Sequence, residues 1–121
     1  MARALVVAMV AAAICGAVPG QARAPSRLMV LADEHSLVLS RQSVVRGPAL
    51  IQFLNRGEDP HDLRLRRIGR ARAAASVPET GAGGLAEARV RLRTGRYRLW
   101  CSLPGHRALG MRAKLRVRSR R

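Results

Sequence analysis

Cys101, His106 and Met111 stand in the stretch "CSLPGHRALGM", with four residues between each pair. A thiol, an imidazole and a thioether on one short loop make a soft donor set, which suits copper or zinc better than magnesium or calcium. The chain has only three histidines and two cysteines, so the grouping is dense. A closed site needs a fourth donor from elsewhere, and His35 and His61 are the two candidates. His61 follows the turn-forming stretch "NRGEDP" and opens the alternating segment "HDLRLRRI", which puts it at a strand start facing the same end of the molecule as the loop. His35 lies in the polar stretch "ADEHS" and reads as a surface residue. Two imidazoles (His61 and His106), the Cys101 thiolate and a more distant Met111 thioether match the donors of a blue-copper electron-transfer site.

Strands must position these donors. "LMVLADEHSLVLS" puts Leu28, Val30 and Ala32 on one face, followed by Leu37 and Leu39. "DLRLRRI" sets Leu63 and Leu65 opposite Arg64 and Arg66, and "ARVRLR" sets Val90 and Leu92 opposite arginines. "RYRLWC" turns Tyr97, Leu99 and Cys101 inward, and "RAKLRVR" does the same with Ala113, Leu115 and Val117. "ALIQFLN" is dense in apolar residues. This period of two, in five or six short runs punctuated by Gly and Pro, predicts an all-β sandwich. The segment Arg67 to Ala88 is the exception, Ala/Arg-rich and then Gly-rich. It predicts a short helix over Arg70 to Ser76 and an irregular crossover through about residue 85.

The first residues carry Arg3 and then an uninterrupted apolar run, Ala4 to Val18, broken at Pro19-Gly20. That is the anatomy of a secretory signal peptide, and the run is short for a membrane span of about 20 residues. The expected division is a signal and start of tether over residues 1–24 and one domain over residues 25–121. Export to the periplasm or beyond follows as an expectation. Cys15 leaves with the signal, so Cys101 stands alone in an oxidising compartment and cannot form an intrachain disulfide. Burial, a partner or a metal would explain it. The formal charge is +16, and all 23 basic residues except Lys114 are arginine. The skew toward arginine reads as coding bias more than a designed binding surface, and the alternation places these arginines on solvated strand faces, where charge usually serves solubility. They are not interleaved with stacking aromatics, which argues against nucleic acid. An acidic redox partner or an anionic membrane surface remains compatible with the charge. The chain is expected to be a monomer.

The loop "CSLPGHRALGM" resembles the copper loop of the cupredoxins, the azurin, plastocyanin and auracyanin group. It is similar to azurin loops in its Cys-x-x-Pro-Gly-His-x-Ala-Leu core. Azurins place the methionine one residue closer, and Gly110 adds a residue here, as in rusticyanin-like and auracyanin-like loops. "NRGEDPHDL" resembles the segment that carries the first histidine ligand. The resemblance covers roughly Leu28 to Val117, with only these two motifs specific. It implies a Greek-key β-sandwich binding one copper ion through His61, Cys101, His106 and Met111, without enzymatic activity. It also implies that His106 passes electrons through an apolar patch of Leu103, Pro104, Ala108 and Leu109, with Arg107 at its rim. Two departures stand out. Asp62 follows the first histidine where family members often carry asparagine, and a carboxylate accepts hydrogen bonds but donates no amide N–H. Pro60 precedes it where azurins have a glycine that approaches the copper, which implies a four-coordinate site. Three functions fit: a single-electron carrier, a protein for copper storage, delivery or resistance, and a metal-free sandwich that binds another protein.

Overall fold

The computed structural model describes residues 16–121. The signal-peptide expectation falls mostly on residues outside these, and residues 16–25 run without secondary structure. The strands are β1 Ser26–Ala32, β2 Leu37–Leu39, β3 Ser43–Val45, β4 Gly47–Asn55, β5 His61–Arg67, β6 Ala75–Thr80, β7 Leu85–Leu92, β8 Gly95–Trp100 and β9 Arg112–Arg118. One helical turn, α1 His106–Leu109, precedes β9. They form two mixed sheets, a four-stranded one in the order β2-β1-β4-β7 and a five-stranded one in the order β3-β9-β8-β5-β6. Strands β1 and β4 pair in parallel, as do β3 and β9, and the other pairings are antiparallel. The architecture is the expected β-sandwich.

The alternating sequence produces the core directly. Leu28, Val30 and Phe53 from one sheet meet Leu63, Leu65, Leu99 and Leu115 from the other, each at most 2% exposed. Burying one such side chain stabilises the fold by about 1.5–3 kcal/mol relative to leaving it in water. The intervening arginines of β5, β8 and β9 point away from this core.

The predicted helix over Arg70 to Ser76 is absent. The chain bends there without regular structure and then forms β6, which pairs with β5 through Leu63↔Val77 and Leu65↔Ala75. Seven residues rich in Ala and Arg are too few to hold an isolated helix in water, and the segment has no apolar stripe to bury at helical spacing. As a strand it buries Val77 to 1% exposure. Pro78 obscures that reading. It sits on the outermost strand of the sheet, beside a register shift between His61 and Leu63, where a missing N–H costs no ladder bond. Among the described residues no helix is long and apolar enough to cross a membrane.

The end of β4, the starts of β5 and β9 and the end of β8 gather at one end of the sandwich. The opposite end carries the start of β1, where the Ser26 hydroxyl donates to the Val45 carbonyl at 3.2 Å and the Arg46 N–H donates to the Arg118 carbonyl at 2.9 Å.

Candidate metal centre

Cys101 continues the inward row of Tyr97 and Leu99 one residue past β8 and is fully buried. The loop beyond it is closed by backbone bonds. The Cys101 N–H donates to the Met111 carbonyl and the Met111 N–H to the His106 carbonyl, each at 3.1 Å. Met111 is also fully buried. Two glycines allow this path. Gly105 turns the chain into α1 with φ of 79°, and Gly110 leaves it with φ of 127°. A Cβ on Gly110 would lie 2.6 Å from the His35 carbonyl oxygen, so a side chain fails there on two counts.

His61 comes from the other motif, at the start of β5, and is fully buried. Its Nδ1 lies 3.1 Å from Nδ1 of His106, and the Cys101 sulfur lies 3.7 Å from the same His106 nitrogen. One donor atom from each of His61, Cys101 and His106 falls within 4.8 Å of the others. Metal–nitrogen bonds run near 2 Å, so two ring nitrogens this close suit a single ion. Nε2 of His61 is buried and has no hydrogen-bond partner among the described residues. The imidazole is therefore held by packing, with Nδ1 free for the centre. Soft sulfur donors beside two imidazoles fit copper well. His35 is exposed, as its sequence suggested, yet its ring stands edge-on to His106 at 6.1 Å.

Several supporting residues escaped the sequence reading. Asn55 is fully buried and organises the loop that carries His61. Its amide donates to the carbonyls of Asp59 at 2.8 Å and Thr80 at 2.9 Å, and its oxygen accepts the Gly57 N–H at 2.9 Å. Glu34 accepts the Glu58 N–H in the same loop, which draws its carboxyl below the ordinary range. Asp62 is 4% exposed and joins the two donor segments. It accepts the Ser102 N–H at 2.6 Å and the Ser102 hydroxyl, and the Arg64 guanidinium lies 3.6 Å away. A carboxylate thus staples the segments purely by accepting bonds. The signal for Asn55 lay within the quoted "NRG" stretch. Nothing local to Ser102 foretold a partner forty residues away.

Burial, reinforced by the neighbouring His106, lowers the pKa of His61 below its ordinary value. Burial also pushes the Cys101 thiol up. The unfolded chain binds a proton at position 61 near pH 6.5 and the folded metal-free protein resists it. The stability that this neutral imidazole contributes is present above that pH and is lost as pH falls toward the lowered folded value. Thermal melts of the metal-free protein should show Tm declining below about pH 6.5, and His61→Gln should flatten that part of the profile.

No protein-family model matches the chain, and no curated protein matches it in sequence. Solved structures do match. Auracyanin A, a "blue" copper protein of the green thermophilic photosynthetic bacterium Chloroflexus aurantiacus, superposes with a TM-score of 0.64 at 18% identity, over 78% of this chain and 100% of that one. The chain has the cupredoxin fold. An azurin from the obligate methylotroph Methylomonas sp. strain J matches with a TM-score of 0.62 at 18% identity, over 78% of this chain and 99% of that one. Rusticyanin from Thiobacillus ferrooxidans matches with a TM-score of 0.65 at 16% identity, over 76% of each chain. Within this cupredoxin sandwich, His61, Cys101, His106 and Met111 all lie at the end where β4, β5, β8 and β9 meet.

Proposed function

We propose that this chain is an exported type 1 blue-copper protein that carries single electrons between redox partners. The observation that supports this best is the buried convergence of the His61 and His106 ring nitrogens, 3.1 Å apart, beside the Cys101 thiol. Cys101, His106 and the Met111 thioether arrive on one hydrogen-bonded loop, and His61 arrives from β5 through the loop built on Asn55. When bound there, copper supplies the Cu(II)/Cu(I) couple. The chain's own part is to hold a compromise donor set, thiolate and thioether for Cu(I) with imidazoles for either state, so that little must move when the charge changes. Burial of His61, Cys101 and Met111 excludes water and leaves no open position for a substrate, which favours electron transfer over catalysis.

His106 is the half-buried member, and the surface beside it is apolar: Pro104 and Ala108 are exposed, Leu103 is half-buried and Leu109 is 61% exposed. This patch is the proposed contact for redox partners. The Arg107 guanidinium stacks over Trp100 at 5.0 Å from the ring, which fixes a positive charge at the rim of the patch.

Protein-film voltammetry of the copper-loaded protein tests the reading. A reversible one-electron wave is expected, with Met111→Leu retaining copper and shifting to higher potential, because a weak axial donor that favours Cu(II) has been removed. Copper bound without a reversible wave assigns the chain to storage or delivery. Loss of all copper in Met111→Leu contradicts the axial role.

A further inference from the structure

The outer face of the five-stranded sheet is a wall of positive charge. Cross-strand register aligns Arg66 of β5, Arg98 of β8 and Lys114 of β9 in one row, and Arg96 with Arg116 in the next. A third row sets Arg64 and Arg112 on either side of Trp100. Like charges placed directly opposite one another weaken a sheet, so the arrangement opposes stability. Of these side chains only Arg64 makes an ion pair among the described residues, with the buried Asp62. The other six of the chain's seven acidic residues lie off these rows. Asp33, Glu34, Glu58 and Asp59 sit in the two loops beside His61, Glu87 bonds Gln52 on the other sheet, and Glu79 is on the edge strand β6. This face is thus strongly basic, with Glu79 at its edge, while the other sheet sets Arg27, Arg89 and Arg91 against Glu87.

The wall is also shaped. An open cleft of about 880 Å³ runs between Arg96, Arg98, Lys114 and Arg116, with Gln42 and Thr94 at its side. A second of about 520 Å³ continues past Arg112 to Arg107 at the copper loop. At the opposite end, Arg23, Arg46, Arg118 and Arg120 border a third of about 390 Å³. That is the end where the chain enters β1, preceded in sequence by the apolar run Ala4 to Val18.

We propose that this arginine face docks on the headgroups of an anionic phospholipid membrane. An open surface of one sign, fed with donors for phosphate oxygens, suits a plane of phosphodiesters, since guanidinium groups bind phosphate in paired fashion. The cations continue around the end at which the chain enters β1. Docked on the sheet face, the molecule lies flat, and the end bearing His106 points along the membrane plane toward partners held in it. The inference is independent of the metal.

Vesicle co-sedimentation tests it. The readout is the ratio of binding to phosphatidylglycerol/phosphatidylcholine vesicles over binding to phosphatidylcholine alone, which cancels any contribution of the apolar segment. The ratio should be large at low salt and collapse at high salt. A triple variant, Arg96→Gln, Arg98→Gln and Arg116→Gln, should lower it by about 100-fold. A triple variant of equal charge on the four-stranded sheet, Arg27→Gln, Arg89→Gln and Arg91→Gln, should lower it far less. Circular dichroism and Tm report that both variants fold. Equal loss in the two variants, or a wild-type chain that ignores anionic vesicles and binds polyglutamate instead, overturns the proposal.

Discussion

Replacing Cys101 by serine should abolish the strong red absorption of the copper-loaded protein entirely. The colour requires a thiolate bound to Cu(II), and Cys101 is the only cysteine among the described residues. Its sulfur is fully buried, and burial raises the thiol pKa, so the metal-free protein holds it protonated at neutral pH. Copper uptake must therefore displace a proton, and apparent affinity should rise with pH. A serine hydroxyl is far less acidic and offers a hard oxygen in place of soft sulfur. The variant should keep its fold, because the exchange is nearly isosteric and the backbone bond from residue 101 to Met111 survives. Optical titration with Cu(II) checks both parts. A red band that persists in Cys101→Ser would show that the thiol is not a ligand.

Removing the Asp62 carboxylate should have the next largest effect. Asp62→Ala leaves the Ser102 N–H and hydroxyl without their shared acceptor and leaves Arg64 without its partner. Ser102 is exposed and Arg64 is partly so, and water can take the acceptor's place, so the loss of stability should be about 1 kcal/mol. The more telling loss is in the metal. Groups that orient ligand-bearing segments typically contribute about 10–100-fold to metal affinity, and Asp62 ties the residue after His61 to the residue after Cys101. Asp62→Asn separates geometry from charge. Its oxygen still accepts the Ser102 N–H and its amide donates to the Ser102 hydroxyl, so stability and affinity should recover most of the way. With the negative charge gone, the cuprous state is relatively favoured and the potential should rise. Denaturant melts and copper competition assays read the first pair of effects, and voltammetry reads the last. An Asp62→Ala protein with wild-type affinity would remove the stapling role.

Those two sites mark the boundary of what the sequence made legible. Strands β5, β8 and β9 were visible because each alternates apolar and charged residues, and burying one face of such a segment leaves little choice of register, while β1 and β4 were visible as dense apolar runs. The donor loop was visible because its three residues are close in sequence. Strand β6 was hidden by Pro78 and by alanines that mimic helix, and β3 by its three-residue length, of which only Val44 is buried. Strand β7 begins at Leu85, ahead of the expected Ala88, because pairing with β4 extends through Leu54↔Leu85. The polar network was hidden for a different reason. Asp62 and Ser102, or Asn55 and Thr80, are set side by side only once the two sheets close, and no local pattern encodes such a pair. Arg107 shows the same limit, read in sequence as a rim charge and found stacked on Trp100.

The convergence of His61 with the C-terminal loop carries the account, and locating the metal tests it most directly. Crystals of the copper-loaded protein, measured by anomalous diffraction at the copper absorption edge, should show one peak per chain among Nδ1 of His61, Sγ of Cys101 and Nδ1 of His106, with the Met111 sulfur on the remaining side. A peak at exposed His35 or elsewhere on the surface, or no peak at full copper loading, would contradict it.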